Sequence, residues 1–297
     1  MSTFAFTVAF AAWMTYGVLI TYLVDNGEYD WDKSQMGWLI GIPVLTGSVM
    51  RLPLGVLTDK YGGRIVFSVL LIVAAVPMFL VSYADSFATF FLAGLGFGMA
   101  GGSFAVGIAF TSVWFDRKHQ GTALGIFGAG NAGAAVTSMF APVILKMLTD
   151  DGANIEGWRT LPQIYAAVLA ITGVLFYLFT HSRKIESHAG YTLKQRLAPL
   201  KYMRVWRFGL YYFLVFGGFV ALAQWLIPYY VNVYTMSIAS AGLMAAIFSF
   251  PSGVIRALGG WMSDRIGARA VMYGILVVSL VCLVLLSVPR MEVQSPA

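Results

Sequence analysis

Long apolar stretches alternate with short polar ones along the whole chain. A helix needs roughly 20 apolar residues to cross about 30 Å of hydrocarbon. Nine runs meet that length: 4–24, 36–57, 65–83, 87–113, 122–147, 161–180, 207–230, 239–262 and 270–288. They are continuous, whereas a membrane β-barrel needs alternating runs of about ten residues. The first run has no basic leader and no small-residue cleavage site, so it reads as a span and not as a signal peptide. The pattern predicts an all-α polytopic membrane protein.

Composition narrows the classes. Of the 297 residues 59% are hydrophobic and only 11% are charged. A soluble domain cannot bury that much apolar surface, and a disordered chain would be rich in charge. The single cysteine, Cys282, excludes a disulfide scaffold. The net charge of +6 does not point to nucleic acid, because the basic residues sit in short loops between apolar runs. The bilayer is the expected partner, and no nucleic-acid partner is expected.

Lysine and arginine placement orients the chain. One set of connections carries thirteen, from Lys60 and Arg64 through Arg117 and Lys118 to Arg265 and Arg269; the opposite set carries four. The rich side is expected to be cytoplasmic, together with the N-terminus. The connection 181–206 is the only long basic one. The expected organisation is a six-helix bundle over 1–180, a basic cytoplasmic linker over 181–206, and a partial three-helix bundle over 207–297. An ordinary basic loop would carry the same charges as the linker.

Two segments repeat. Arg51, Gly55, Asp59, Lys60, Gly62 and Arg64 recur as Arg256, Gly260, Asp264, Arg265, Gly267 and Arg269, all at an offset of 205. Parallel halves related by an axis along the membrane normal are a transporter architecture, with the site at their interface near the midplane. Six spans precede the linker and three follow it, so three C-terminal spans are expected to be missing; the alternative is a nine-span protein.

Polar groups inside the runs carry the chemistry. No Asp, Glu or His falls within the nine runs, so Arg51 and Arg256 are expected to lie in the membrane without a carboxylate partner. An arginine at the bilayer centre costs at least about 2.5–3.5 kcal/mol on insertion scales. Two facing cations would also repel each other through a weakly screening medium. A small anion from outside the chain relieves both, so the pair predicts an anionic substrate. A guanidinium offers parallel donors to a planar oxyanion. Phosphate fits two arginines as well. Snorkelling of Arg51 toward the interface is the alternative.

The segment Gly55-x-Leu57-x-Asp59-Lys60-x-Gly62-Gly63-Arg64 resembles the loop signature of the major facilitator superfamily, and Gly157-Trp158-Arg159 is similar to that superfamily too. The stretch Gln120–Gly133, with Asn131 among its glycines, and Gly101-Gly-Ser-Phe104-Ala resemble the nitrate/nitrite porters of NarK/NasA type. The resemblance covers about residues 5 to 288 and implies about nine of an expected twelve helices. The family's second glycine-rich signature would lie in an eleventh span.

The resemblance implies roles residue by residue. Arg51 and Arg256 match the family's two substrate arginines. Phe104 matches its fourth-span aromatic, and Tyr212 and Phe216 match its seventh-span tyrosine and aromatic. Core packing alone would also account for an aromatic in a chain with 15% aromatic residues. Asn131 is expected to contact substrate. Gly128, Gly130 and Gly133 are expected to let helices slide, although plain close packing explains glycines equally. Asp59, Arg64, Arg117, Asp264 and Arg269 are implied as a latch between halves. Asp59 would pair with Arg117 or sit at a helix N-terminus.

The implied activity is transport of nitrate and nitrite by alternating access, as antiport or as proton–nitrate symport, by a monomer in the inner (plasma) membrane without cofactor or metal. Another small anion such as formate or oxalate is the alternative substrate. An anion channel would show flux that does not saturate, and a sensor would bind without flux. A membrane enzyme would need a catalytic cluster, and the sequence shows no metal spacing or activated nucleophile. The glycines of 94–102 lie inside an apolar run with no strand before them, so they do not read as a dinucleotide loop.

Overall fold

The structure is a computed structural model that describes residues 1–183 and 193–287. Among these residues there is no strand, and nine helices are long and apolar enough to span a membrane. In order, spans one to nine are Ser2–Asp25, Lys33–Tyr61, Gly63–Tyr83, Phe87–Ser112, Gln120–Leu148, Ile155–Phe179, Met203–Tyr234, Ile238–Ile266 and Ala268–Leu285. Residues 184–192 of the expected linker and the end of the chain from 288 lie outside the described residues. Leu193–Leu197 and Ala198–Lys201 form two short helical turns before span seven.

The helices overrun the apolar runs. Asp59 and Asp264, expected in loops, instead lie in the last turns of spans two and eight. The expectation that they open the loops after those spans is corrected accordingly. Hydropathy marks where a helix meets hydrocarbon, but capping decides where it ends. Span one is not continuous either: Ser2–Trp13 and Thr15–Asp25 meet at Met14.

Spans two and eight show the repeat in three dimensions. Each has 29 residues, and Lys33–Tyr61 maps onto Ile238–Ile266 at the offset of 205. Their N-caps correspond: the Asp32 carboxylate accepts from the Gln35 amide at 2.8 Å, and the Ser237 hydroxyl accepts from the Ser240 amide at 3.3 Å. Their stops correspond as well. Gly62 has φ 85° and ψ 147°, and Gly267 has φ 90° and ψ 136°. A side chain is strongly disfavoured in that backbone region, so glycine ends both helices at one register.

Packing brings the first six spans against the later ones along two seams. Span eight lies on span five through small residues. A methyl added at Gly253 would sit 2.6 Å from the Ala132 amide nitrogen, and one at Gly121 would sit 2.7 Å from the Gly260 carbonyl. Lipid is as apolar as leucine, so close backbone approach of this kind holds membrane helices together. Span seven packs on the second half of span one, where Gly17 meets Gln224. Span two packs on span four.

Spans four, five and seven change helix type in mid-course. Span four tightens to a 3₁₀ turn at Gly98–Gly102, span five at Ala129–Ala132, and span seven widens to a π turn at Phe213–Gly217. Such irregular turns occur often at functional sites.

Candidate anion-binding site

The two repeat arginines point into one aromatic cluster. Arg51 on span two donates from Nη1 to the Tyr212 hydroxyl at 3.0 Å. Its guanidinium carbon lies 4.7 Å from the Phe216 ring centre, 5.6 Å from that of Tyr212 and 5.7 Å from that of Phe104. Arg256 on span eight lies 5.7 Å from the Phe216 ring and 5.3 Å from Phe219. Phe216 therefore touches both cations.

The rings around them are nearly parallel. Tyr212 and Phe216 stack at 4.9 Å with planes 11° apart. Phe104 lies 5.6 Å from Phe216 at 19° and 6.0 Å from Tyr212 at 22°. The π turn starts just after Tyr212 and contains Phe216, and so sets their offset along span seven. The structure thus brings together Arg51, Arg256, Phe104, Tyr212 and Phe216 from four helices.

Energetics decide what the cluster lacks. A cation over an aromatic face gains about 0.5–2 kcal/mol, but a ring face leaves the remaining guanidinium N–H donors without acceptors. Arg51 Nε and Nη2 and Arg256 Nε are buried without a hydrogen-bond partner. Among the described residues no carboxylate lies within ion-pair distance of either guanidinium. Each unmet buried donor costs about 1–3 kcal/mol, and more when charged. The cluster has donors, positive charge and flat apolar walls. A small planar oxyanion matches all three.

Span five borders the cluster. A methyl at Gly128 would lie 3.4 Å from Arg256 Cδ, in ordinary contact with the arginine stem. Asn131 is wholly buried and donates to the Gly128 carbonyl at 2.7 Å, while its Oδ1 has no partner. Gly130 and Gly133 face span one instead: methyls there would lie 2.9 Å from the Thr3 carbonyl and 2.8 Å from the Ala11 amide nitrogen. These two serve the packing reading.

At the lysine- and arginine-rich end the seam between spans five and eight closes around Asp264. Its carboxylate accepts from the Gly121 amide at 2.8 Å, the Thr122 amide at 2.7 Å and the Thr122 hydroxyl at 2.7 Å. A carboxylate is unfavourable at the C-terminus of its own helix and favourable at the N-terminus of another. Asp264 thereby ties span eight to the start of span five. Arg64 stays within the first six spans: its Nε donates to the Tyr177 carbonyl at 2.8 Å. Arg117 and Arg269 are exposed, and Asp59 stands at the position of span two equivalent to Asp264.

Three features escaped sequence reasoning. Phe219 borders Arg256. The π turn follows no hydropathy signal, although the Gly217–Gly218 pair marks it. Gln224, also on span seven, is buried with both amide atoms unpartnered. A carboxamide inside an apolar run was the available sign.

The Major Facilitator Superfamily model matches residues 2–294. The chain belongs to the major facilitator superfamily. It is 42% identical over 277 residues to the "Probable nitrate/nitrite antiporter NarK1" of Thermus thermophilus, covering 92% of this chain and 62% of that protein. It is 32% identical to the "Nitrite extrusion protein" of Bacillus subtilis, covering 89% and 64%. It is 31% identical to the "Probable nitrate/nitrite transporter NarK2" of Mycobacterium tuberculosis, covering 91% and 67%. The chain thus spans roughly two thirds of the length of these relatives. The solved structure of a bacterial homolog to the human lysosomal transporter Spinster, inward-facing and occupied, matches with a TM-score of 0.63 at 19% identity. That match covers 90% of this chain and 62% of that one, and the likeness is one of fold.

Proposed function

We propose that this superfamily member carries nitrate or nitrite across the membrane by alternating access, with the anion held between Arg51 and Arg256. One observation carries the reading. Two arginines at equivalent positions of a structural repeat share the Phe216 ring, and both keep buried donors unmet. The similarity to relatives named as nitrate/nitrite transporters supports the same substrate class.

In this mechanism the unliganded cluster resists closure because its two cations repel each other. Bound oxyanion neutralises them, with guanidinium forks at its edge and the rings of Phe104, Tyr212 and Phe216 shielding it from water. The closed and reopened states then differ in anion affinity, and that difference shifts the population. Asp264 on the span-five N-terminus is the latch that releases at the basic end. Asn131 supplies a further polar contact when Gly128 and its neighbours move. Nitrate/nitrite antiport accounts best for a cluster whose charged groups are arginines. The basic end faces the cytoplasm, as does the N-terminus, in a monomer in the inner membrane. Residues 1–180 form one rocking unit, 181–206 the linker, and 207–297 part of the second.

Uptake of labelled nitrate into proteoliposomes tests the reading. Nitrite inside should stimulate saturable uptake, and Arg51→Ala or Arg256→Ala should abolish it. Stimulation by an inward proton gradient alone would replace antiport by symport. Preferential uptake of formate or oxalate would overturn the substrate.

A further inference from the structure

A cavity of about 260 Å³ adjoins Arg51 between spans one, two and seven; Trp13, Ser48, Arg51, Phe216, Gln224 and Trp225 contribute to its wall. It runs away from the basic end, toward the start of span two and the end of span seven. Arg256 takes no part in it, and neither does any acid. Gln224 is only 2% exposed, yet neither Nε2 nor Oε1 has a hydrogen-bond partner. Buried polar groups are almost always paired, so this one requires an explanation. Arg51, which lines the same cavity, keeps a buried unpartnered Nη2 as well. Gly17 fits the same picture. A methyl there would sit 2.5 Å from Gln224 Oε1, so glycine keeps the carboxamide where it is.

We propose that this cavity is an outer anion site, in which the Gln224 amide and Arg51 Nη2 donate to one small oxyanion before it reaches both arginines. A single positive charge, amide donors, the Ser48 hydroxyl and largely apolar walls select a small anion over a cation or a neutral solute. The anion exchanges part of its hydration for the Gln224 donor first, and moves between the arginines without leaving Arg51. The proposal rests on the anion-carrier reading above, and assigns to Gln224 a specificity role that the two-arginine site does not include.

Two readouts separate this from a structural role: melting temperature without nitrate, and nitrate affinity by calorimetry at constant ionic strength with chloride as the balancing anion. The purified 297-residue chain is compared with Gln224→Leu and Gly17→Ala. Leucine fills the site without an unmet amide, so the nitrate-free melting temperature should hold or rise. Nitrate affinity should nevertheless fall about tenfold, the scale of one charge-assisted hydrogen bond. Gly17→Ala keeps the amide but displaces it, and should weaken nitrate in the same direction; it carries the test if the leucine variant does not fold. Unchanged nitrate affinity in both variants, with binding lost in Arg51→Ala and Arg256→Ala, would overturn the outer site alone. No nitrate binding by the parent chain would overturn it together with the anion-carrier reading.

Discussion

Arg51 and Arg256 announce themselves because a cation in an apolar run is costly unless it snorkels to the interface or meets an anionic partner. Their aromatic partners do not. Phe104, Tyr212 and Phe216 are three among many aromatic residues, and only resemblance singled them out before the ring stack showed the reason. Gln224 went unread for another cause: its carboxamide interrupts an apolar run, but a neutral side chain leaves no trace in a count of charges. Tyr212 also gives the sharpest test at this scale. Its hydroxyl is the partner of Arg51 Nη1 at 3.0 Å. Tyr212→Phe keeps the ring and removes that bond, so Arg51 loses its orientation. Nitrate affinity should fall roughly fivefold, about 1 kcal/mol, with the fold intact. Titration of the variant reads this directly, and an unchanged affinity would show that the hydroxyl does not hold the arginine.

Helices were legible in number but not in their ends. The apolar runs locate what lies in hydrocarbon, whereas Asp32 with Gln35, Ser237, Gly62 and Gly267 set the limits of spans two and eight. The Asp264 contact was hidden by the same shortfall: its carboxylate reaches the first amides of span five because span eight runs past its apolar stretch. Asp264→Asn removes the charge that the span-five N-terminus favours and weakens the hydrogen bonds it makes, worth about 1–2 kcal/mol together. Spin labels at Lys118 and Ile266, in a Cys282→Ser background, should then report a longer and broader distance distribution. An unchanged distribution would mean that other contacts hold this seam.

At the scale of the molecule, the offset of 205 was the most informative feature of the sequence. It foretold that spans two and eight are one element repeated, and the proposed site between the halves rests on that repeat. What it could not foretell is which small residues let span eight settle on span five, because glycine reads alike whether it packs, bends or opens space. The proposed orientation has its own check. Cysteines introduced at Asp116 and Asp30, each in the Cys282→Ser background, should label with a membrane-impermeant maleimide from opposite faces, with Asp30→Cys reached from outside intact cells. Labelling of Asp116→Cys from outside would invert the assignment.

The central claim is that two arginines, related by the fold, recognise one planar oxyanion through their paired donors. Lysine keeps the charge and loses the fork. Nitrate titration of the purified chain beside Arg51→Lys and Arg256→Lys is therefore the most direct measurement. Saturable binding by the parent, weakened more than about tenfold by either lysine, is the predicted result. Binding that survives both substitutions unchanged would contradict it, and would leave the pair with charge alone as its role.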